Sequence, residues 1–249
     1  MTTEMAREIR PITQVWGGKF MTSPELAEVE QEVGLPEKSL YLRGRSAVLG
    51  DPPPGVVADL FGIFPAWLFD YLLPATAAVP SGRAVEAYVE ALSRWSKNHF
   101  AGVGDAERLT ALLQTVIDGA DGSGLALFAG WRRVAPPADP LARLGFALMV
   151  LREYRGGVHF AALRAVGVTV GEAVVVDPEG GRARLLRTAW SPEAADELIA
   201  RARPDASERW RRAQALTDER MAELLGATLS ADERVELLTL LRALDVVAS

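Results

Sequence analysis

The chain has 249 residues, of which 49% are hydrophobic and 24% are charged, as is typical of a globular protein with a packed core. It contains no cysteine, which excludes disulfides, thiolate nucleophiles and cysteine-ligated metals. Its formal net charge of −6 argues against general nucleic-acid binding, because phosphate contacts normally require a basic surplus.

The N-terminal segment Met1–Arg10 carries Glu4 and Glu8 and has no apolar run behind a basic start. It therefore lacks the pattern of a signal peptide. The apolar stretches Val56–Leu73 and Leu141–Leu151 are too short or too interrupted for a membrane span. We expect a cytoplasmic protein without a membrane partner.

The first half of the sequence predicts short helices separated by glycine and proline. Ser23-Pro24-Glu25 has the order of an N-cap, a first-turn proline and a first-turn acid, and Pro52-Pro53-Pro54 indicates a rigid turn. Two short apolar helices follow and are split at Phe64-Pro65. Ser81 is the predicted cap of the next helix, and Leu109–Ile117 has the apolar spacing of another.

The second half begins with the clearest helix signal. Asp139-Pro140 predicts a cap and a first-turn proline before a nearly apolar core helix. Gly156-Gly157 predicts an interruption, which is followed by a shorter helix. Val168–Val176 fits a helix or a strand, and Arg184–Ala189 fits a strand, so a small hairpin around Gly180-Gly181 is predicted.

The C-terminal region predicts three more helices. They begin at Ser191-Pro192, near Ser207 and at Ser230, where Ser230 and Glu233 have the pattern of a capping box. Glycine and aspartate cluster at 119–124 and predict a boundary. The sequence thus predicts a mainly α, multi-helical fold with at most one small β-hairpin. Its two winged-helix-like subdomains are residues 1–120 and 121–249, and the second includes a terminal helical pair.

The order helix, turn, helix, hairpin across Asp139–Ala189 is that of a winged helix, a unit that places its second helix in the DNA major groove. That helix would be Thr169–Val176, which contains no Arg, Lys, Asn or Gln to contact base edges. Three arginines of the expected hairpin are candidates for phosphate contact: Arg182, Arg184 and Arg187. A winged-helix scaffold that does not bind DNA is therefore favoured, and a DNA-binding regulator is the alternative.

Catalytic and metal sites have weak support in the sequence. The only two histidines are His99 and His159, and zinc sites usually need three or more ligands. The nucleophile-elbow pattern G-x-S-x-G is absent. We predict no metal and no cofactor. The enzyme alternative uses His159 as acid or base, with Tyr154 or Glu153 beside it.

Aromatic residues concentrate between Phe61 and Tyr71 and fit either the core, a dimer interface or an apolar pocket. The leading hypothesis is a binding protein for a small hydrophobic or anionic molecule. The predicted lining combines these aromatic residues with polar ones: Phe61, Phe64, Trp67, Arg43, Arg45, Tyr154, Arg155 and His159. The leucine-rich terminal helices leave a homodimer open.

Several segments resemble an actinobacterial helix-turn-helix-like family. Tyr41–Gly50 and Val56–Ala66 are similar to its stretch YFxGRAAPLG…VVAAxFYxFxP. Asp139–Leu144 and Leu151–His159 are similar to its DPLAxLW and LREHRGDGH. Two late dipeptides also match: Trp190-Ser191 and Thr217-Asp218.

The resemblance implies tandem winged-helix modules and a link to secondary metabolism, because some members lie in biosynthetic gene clusters. The chain departs from the family where the family is most polar. An expected E-P-x-H is Arg10-Pro11-Ile12-Thr13 here, and H-R-G-D-G-H is Tyr154–His159. Of the polar residues in that second pattern, Arg155 and His159 are retained.

Overall fold

The computed structural model describes residues 2–247, apart from the side chains of residues 2, 13–16 and 245–247. These residues form fourteen α-helices and one 3₁₀ turn and contain no strand, which confirms the predicted mainly α, multi-helical fold. The helices are α1 (Thr2–Met21), α2 (Pro24–Glu32), α3 (Leu40–Ser46), α4 (Pro54–Phe61), α5 (Ala66–Ala75), α6 (Ser81–His99), α7 (Ala106–Gly119), α8 (Ala126–Trp131), α9 (Pro140–Ala165), α10 (Val170–Val176), α11 (Gly181–Arg187), α12 (Pro192–Arg201), α13 (Ala206–Thr228) and α14 (Ala231–Val247), and the 3₁₀ turn is Ala47–Leu49.

The central element is α9, which packs against α6, α7, α8 and α13. Every residue from Leu144 to Leu151 is buried, because a helix that is apolar on all faces needs protein on all sides. The predicted interruption at Gly156-Gly157 is wrong, since α9 continues to Ala165. A Cβ on Gly157 would lie 2.7 Å from a methyl of Leu125, so this glycine permits close packing instead of ending the helix.

No helix described in residues 2–247 has by itself both the length and the apolar composition needed to cross a membrane. Helices α9 and α10 meet that test only as a pair bent by 97°. The packing of α9 inside the protein accounts for its apolar composition.

Most of the apolar core is one cluster, to which α1–α9, α13 and α14 contribute. Helices from both sides of position 120 therefore share a core, and the division into 1–120 and 121–249 stays a prediction. A second cluster joins the end of α9 to α10 and α13. A third joins α10, α11 and α12 through Val174, Leu185 and Ala195, so these three short helices form a unit with a small core of its own.

Most predicted capping residues occupy the cap position. Three of them accept a hydrogen bond from the backbone N–H three residues later: Ser23, Asp139 and Ser191. Ser230 and Glu233 form the predicted capping box. Ser81 is wrong as a cap: it is the first residue of α6, and Pro80 precedes it without a side-chain hydrogen bond.

The predicted β-hairpin around Gly180-Gly181 is also wrong, because the segments on both sides are helices α10 and α11. Thr169 and Glu172 form a capping box at the start of α10, which satisfies two backbone N–H groups and favours a helix over a strand. The hydrophobic face of α10 then packs on α11 and α13. Tertiary contact and the cap together outweigh the strand preference of the valines.

Candidate functional site

Four predicted site residues lie within two turns of α9: Glu153, Tyr154, Arg155 and His159. Successive residues of an α-helix point about 100° apart, so the first three face different neighbours. His159 is four residues after Arg155 and shares its face of the helix. The structure thus distributes these residues over three separate environments.

Glu153 forms a buried ion pair with Arg45 of α3. The Arg45 Nε and Nη2 atoms donate to the two Glu153 carboxylate oxygens at 2.6 and 2.8 Å, and the Arg45 guanidinium carbon lies 4.4 Å from the centroid of the Phe61 ring. Burial alone would raise the pKa of Glu153, but the charge and hydrogen bonds of Arg45 outweigh burial and lower it. This pair ties α3 to α9 and leaves neither partner free for a ligand.

The remaining residues of the predicted pocket also have other roles. Arg43 donates to Asp51 at 2.6 Å and to the Val79 carbonyl oxygen at 2.9 Å. Phe64 is buried in the main core, whereas Trp67 is 55% exposed. The ring of Tyr154 packs edge-on against Phe128 with 5.0 Å between centroids. The structure does not bring these residues together around one cavity.

Two narrow cavities lie among the described residues, and each has room for about one water molecule. One is lined by Tyr41, Tyr88 and Arg152 among apolar side chains. The other lies against α1, α9, α13 and α14, and its charged lining residues are Arg10 and Arg155. The described part of the chain contains no group of three or more His, Asp or Glu side chains suited to a metal ion.

Arg155 belongs to a buried polar cluster between α1, α9 and α13. Its Nη2 atom lies 3.6 Å from Oδ1 of Asp218, which is only 2% exposed, and 3.3 Å from the Gln214 amide oxygen. Two arginines of α1 approach the other Asp218 oxygen: Arg10 at 3.6 Å and Arg7 at 3.9 Å. Three arginines therefore surround one carboxylate, and the cluster has a positive surplus.

His159 lies beside this cluster and contacts Thr217. The Thr217 hydroxyl donates to the Ala213 carbonyl oxygen at 2.8 Å, and the His159 Nδ1 atom lies 3.0 Å from the same hydroxyl oxygen. The single proton of that hydroxyl is used in the bond to Ala213, so the Thr217 oxygen can only accept from His159. We therefore assign the imidazole proton to Nδ1, which makes His159 the donor to Thr217. Burial, followed by the positive charges of Arg155 and Arg10, lowers the pKa of His159 to about 4.

This pKa predicts an acid sensitivity that His159 controls. The pKa in the folded protein lies below the ordinary value of 6.5. Neutral His159 therefore makes its full contribution to the free energy of unfolding above pH 6.5, and this contribution is lost as pH falls toward 4. We expect His159 to account for a loss of about 2 kcal/mol in unfolding free energy between pH 7.5 and pH 5. Urea titrations of wild type and His159→Gln at both pH values measure it. An equal loss in the two proteins would contradict the assignment.

The residues of the cluster come from segments that are far apart in the sequence. Arg10 lies on α1, Arg155 and His159 lie on α9, and Thr217 and Asp218 lie on α13. Three of the segments quoted above for the family resemblance therefore meet at one place. The sequence analysis missed Arg7 and Gln214. Arg7 is three residues before Arg10 and Gln214 is four residues before Asp218, and residues at these spacings share one face of a helix.

A second candidate site is the connection from α10 to α11. Two helices joined by the four-residue turn 177–180 form a helix-turn-helix arrangement, and the turn contains Gly180. A Cβ on Gly180 would lie 2.1 Å from the Val174 carbonyl oxygen, so only glycine permits this approach. Arg184 donates to Asp177 at 3.1 Å across the same turn. The turn is therefore fixed by the close approach of Gly180 to Val174 and by the bond between Arg184 and Asp177.

The three arginines that were expected on a hairpin lie on α11, the second helix of this arrangement, which has no acidic residue. Arg182 is paired with Asp196 of α12 at 2.6 Å, and both side chains are about half exposed. Arg184 is paired with Asp177. Arg187 is exposed and has no acidic partner within ion-pair distance among the described residues. Helix α11 thus presents three arginines, two of which have acidic partners.

The connection from α4 to α5 has a similar form and a different surface. It also has four residues, 62–65, and Gly62 adopts a left-handed conformation with φ 65°. Helix α5 contains no basic residue, and its exposed side chains include Trp67, Asp70 and Tyr71. Of these two arrangements, α10–α11 is the one whose second helix carries arginines.

Comparison with protein families shows where the chain belongs. The model of a family described as a helix-turn-helix family matches residues 3–248, which is nearly the whole chain. No curated protein and no solved structure matches it.

Proposed function

The chain belongs to a helix-turn-helix family, and from this premise we propose that it is a DNA-binding regulator whose contact helix is α11. The observation that carries the proposal is the position of Arg182, Arg184 and Arg187 on the second helix of a helix-turn-helix arrangement. In DNA-binding proteins of this type the second helix enters the major groove. Arginine is the residue that most often contacts guanine there and also binds phosphate.

The part of the chain around α11 is less acidic than the chain as a whole. Nine arginines and eight acidic residues lie between Arg164 and Arg212, whereas the whole chain has 27 basic and 33 acidic residues. The α10–α12 unit itself, residues 170–201, has four arginines and six acidic residues, so the basic excess of 164–212 comes from arginines that flank this unit. Electrostatic attraction to DNA depends on the charges near the contact surface, because salt screens charges more than about 10 Å away.

The ion pairs of α11 do not prevent DNA contact. The pairs of Arg182 with Asp196 and of Arg184 with Asp177 are partly exposed to solvent, and such pairs are weak because water and salt screen them. A phosphate group offers arginine a bidentate partner in the same geometry as a carboxylate. Arg182 and Arg184 can therefore bind phosphate in place of their acidic partners. Arg187 can bind phosphate directly, because it has no acidic partner among the described residues.

The test is fluorescence anisotropy of a labelled duplex at low salt, with wild type and with the triple variant Arg182→Gln/Arg184→Gln/Arg187→Gln. We expect wild type to bind non-specific duplex with a dissociation constant on the order of 1–100 µM. The triple variant should bind at least about tenfold more weakly, because three phosphate or base contacts are removed.

A charge-matched control separates local contact from net charge. Arg83→Gln/Arg143→Gln/Arg220→Gln removes three exposed arginines that lie on α6, α9 and α13, outside the α10–α12 unit. In about 0.1 M salt it should bind within about twofold of wild type, because charges more than about 10 Å from the DNA are then screened. Equal weakening in both triple variants, or no binding by wild type at low salt, would overturn the proposed function.

A further inference from the structure

Asp196 of α12 holds one edge of the Arg182 guanidinium. The Arg182 Nε and Nη2 atoms donate to the two Asp196 carboxylate oxygens at 2.6 and 3.2 Å. A guanidinium has five N–H groups, and these two bonds use the Nε–H and one of the Nη2–H groups. The opposite edge, formed by Nη1 and the second Nη2–H, is therefore left for another acceptor.

This remaining edge of Arg182 has the form that a guanine contact requires. Arginine contacts guanine in the major groove through two N–H groups that donate to the O6 and N7 atoms of the base. The Nη1–Nη2 edge of a guanidinium presents two such parallel N–H groups. Because Asp196 already holds the side chain, less conformational freedom is lost when Arg182 meets the base.

The position of Arg182 on α11 also fits contact with a base. Arg182 is the second residue of α11, and in helix-turn-helix proteins the first residues of the second helix contact base edges. Arg184 differs because it donates to Asp177 through Nη1, so the edge that would contact guanine is already in use. Arg187 is the last residue of α11, far from the end that contacts bases.

The backbone of Asp196 is held in place by the small core of the α10–α12 unit. Asp196 follows Ala195, and both Ala195 of α12 and Leu185 of α11 are fully buried in the third apolar cluster. The packing of α11 on α12 therefore fixes the distance between the backbones of Arg182 and Asp196. The side chain of Asp196 itself is 58% exposed, so it can be replaced without disturbing that core.

We propose that Asp196 is a positioning residue that orients Arg182 to donate to one guanine in the major groove, which rests on the proposed contact between α11 and DNA. On non-specific DNA a phosphate can take the place of Asp196, whereas at a specific site Asp196 stays on Nε while the Nη1–Nη2 edge meets guanine. Asp196 then has two opposite effects. Its charge opposes binding to any duplex, and its hold on Arg182 raises the preference for guanine.

The experiment is selection of bound duplexes from a pool with randomised base pairs, followed by sequencing, with anisotropy of the unselected pool beside it. Wild type should select guanine at one position where Arg182→Gln no longer selects it. Asp196→Ala should lose at least about fivefold of the guanine preference at that same position. It should nevertheless bind the unselected pool about two- to fivefold more tightly, because a carboxylate that competes with phosphate is removed.

The matched control is Glu197→Ala, because Glu197 is the next residue of α12, is exposed and pairs with Arg201 instead of an arginine of α11. It should leave the guanine preference unchanged. A wild-type motif without guanine, an unchanged preference in Asp196→Ala, or an equal loss at every position of the motif would overturn this inference alone. Absence of duplex binding by wild type would overturn the proposed function and this inference with it.

Discussion

Replacing Glu153 by alanine is expected to lower the free energy of unfolding by about 3–5 kcal/mol, because Arg45 would remain buried without its partner. Glu153 is 4% exposed and accepts two hydrogen bonds from Arg45. Burial lowers the pKa of Arg45 and Glu153 raises it. Arg45 nevertheless stays charged in the variant, because an arginine guanidinium is not deprotonated in proteins. Denaturation by urea at pH 7 measures the change.

The control replaces both partners by residues of similar volume. Arg45→Met/Glu153→Met removes the two charges together, and replacement of a buried ion pair by apolar residues is often neutral or stabilising. We expect the double variant to recover most of the stability that Glu153→Ala loses. A loss below about 1 kcal/mol in Glu153→Ala would show that water reaches Arg45 and that the pair is not buried.

Gly145→Ala is expected to lower the free energy of unfolding by about 1–3 kcal/mol through overpacking. Gly145 lies where α9 crosses α6, and a Cβ there would come within 1.9 Å of the Ser96 hydroxyl oxygen and 2.8 Å of the Ser96 Cβ. Ser96 is fully buried and its hydroxyl donates to the Leu92 carbonyl oxygen, so it cannot move without losing that bond. Urea denaturation again measures the change.

Gly156 provides a matched control on the same helix. A Cβ at this position meets no atom within 4 Å, so Gly156→Ala should raise stability by about 0.5–1 kcal/mol through helix propensity alone. Equal effects of Gly145→Ala and Gly156→Ala would contradict the packing of α9 against α6. A loss of stability in Gly145→Ala together with a gain in Gly156→Ala would confirm that helix packing requires glycine at 145 and does not require it at 156.

Local signals predicted much of the fold. Ser23, Asp139 and Ser191 cap helices because their side chains bond to backbone N–H groups within the same turn, a contact that depends only on neighbouring residues. Phe64-Pro65 separates α4 from α5 as predicted. Predictions failed where tertiary contact decides. Gly156-Gly157 does not end α9, because the helix is held on several sides by its neighbours.

The candidate site was less predictable than the fold. Arg155 and His159 were named from the sequence, and the structure places them on one face of α9 next to Asp218. The aromatic residues could not be assigned in the same way, because Phe61 and Trp67 look alike in sequence although one is buried and the other is exposed. Which side chain meets which depends on helix packing, and no local pattern encodes it.

The correction at Gly180 changes the functional hypothesis as well as the fold. On a hairpin, Arg182, Arg184 and Arg187 would reach only phosphate, and the second helix would be Thr169–Val176 without base-reading residues. The structure makes α11 the second helix and places these arginines on it. The argument from missing base-reading side chains therefore applied to a different helix from the one that we propose contacts DNA, whereas the net charge of −6 is unchanged.

The salt dependence of DNA binding tests this central claim most directly. The logarithm of the association constant falls with the logarithm of salt concentration by about 0.9 for each phosphate that the protein neutralises. We predict that Arg182→Gln/Arg184→Gln/Arg187→Gln reduces this slope by about 2–3 relative to wild type, while Arg83→Gln/Arg143→Gln/Arg220→Gln leaves it unchanged. Identical slopes in wild type and in the α11 variant would contradict the assignment of α11 as the contact helix.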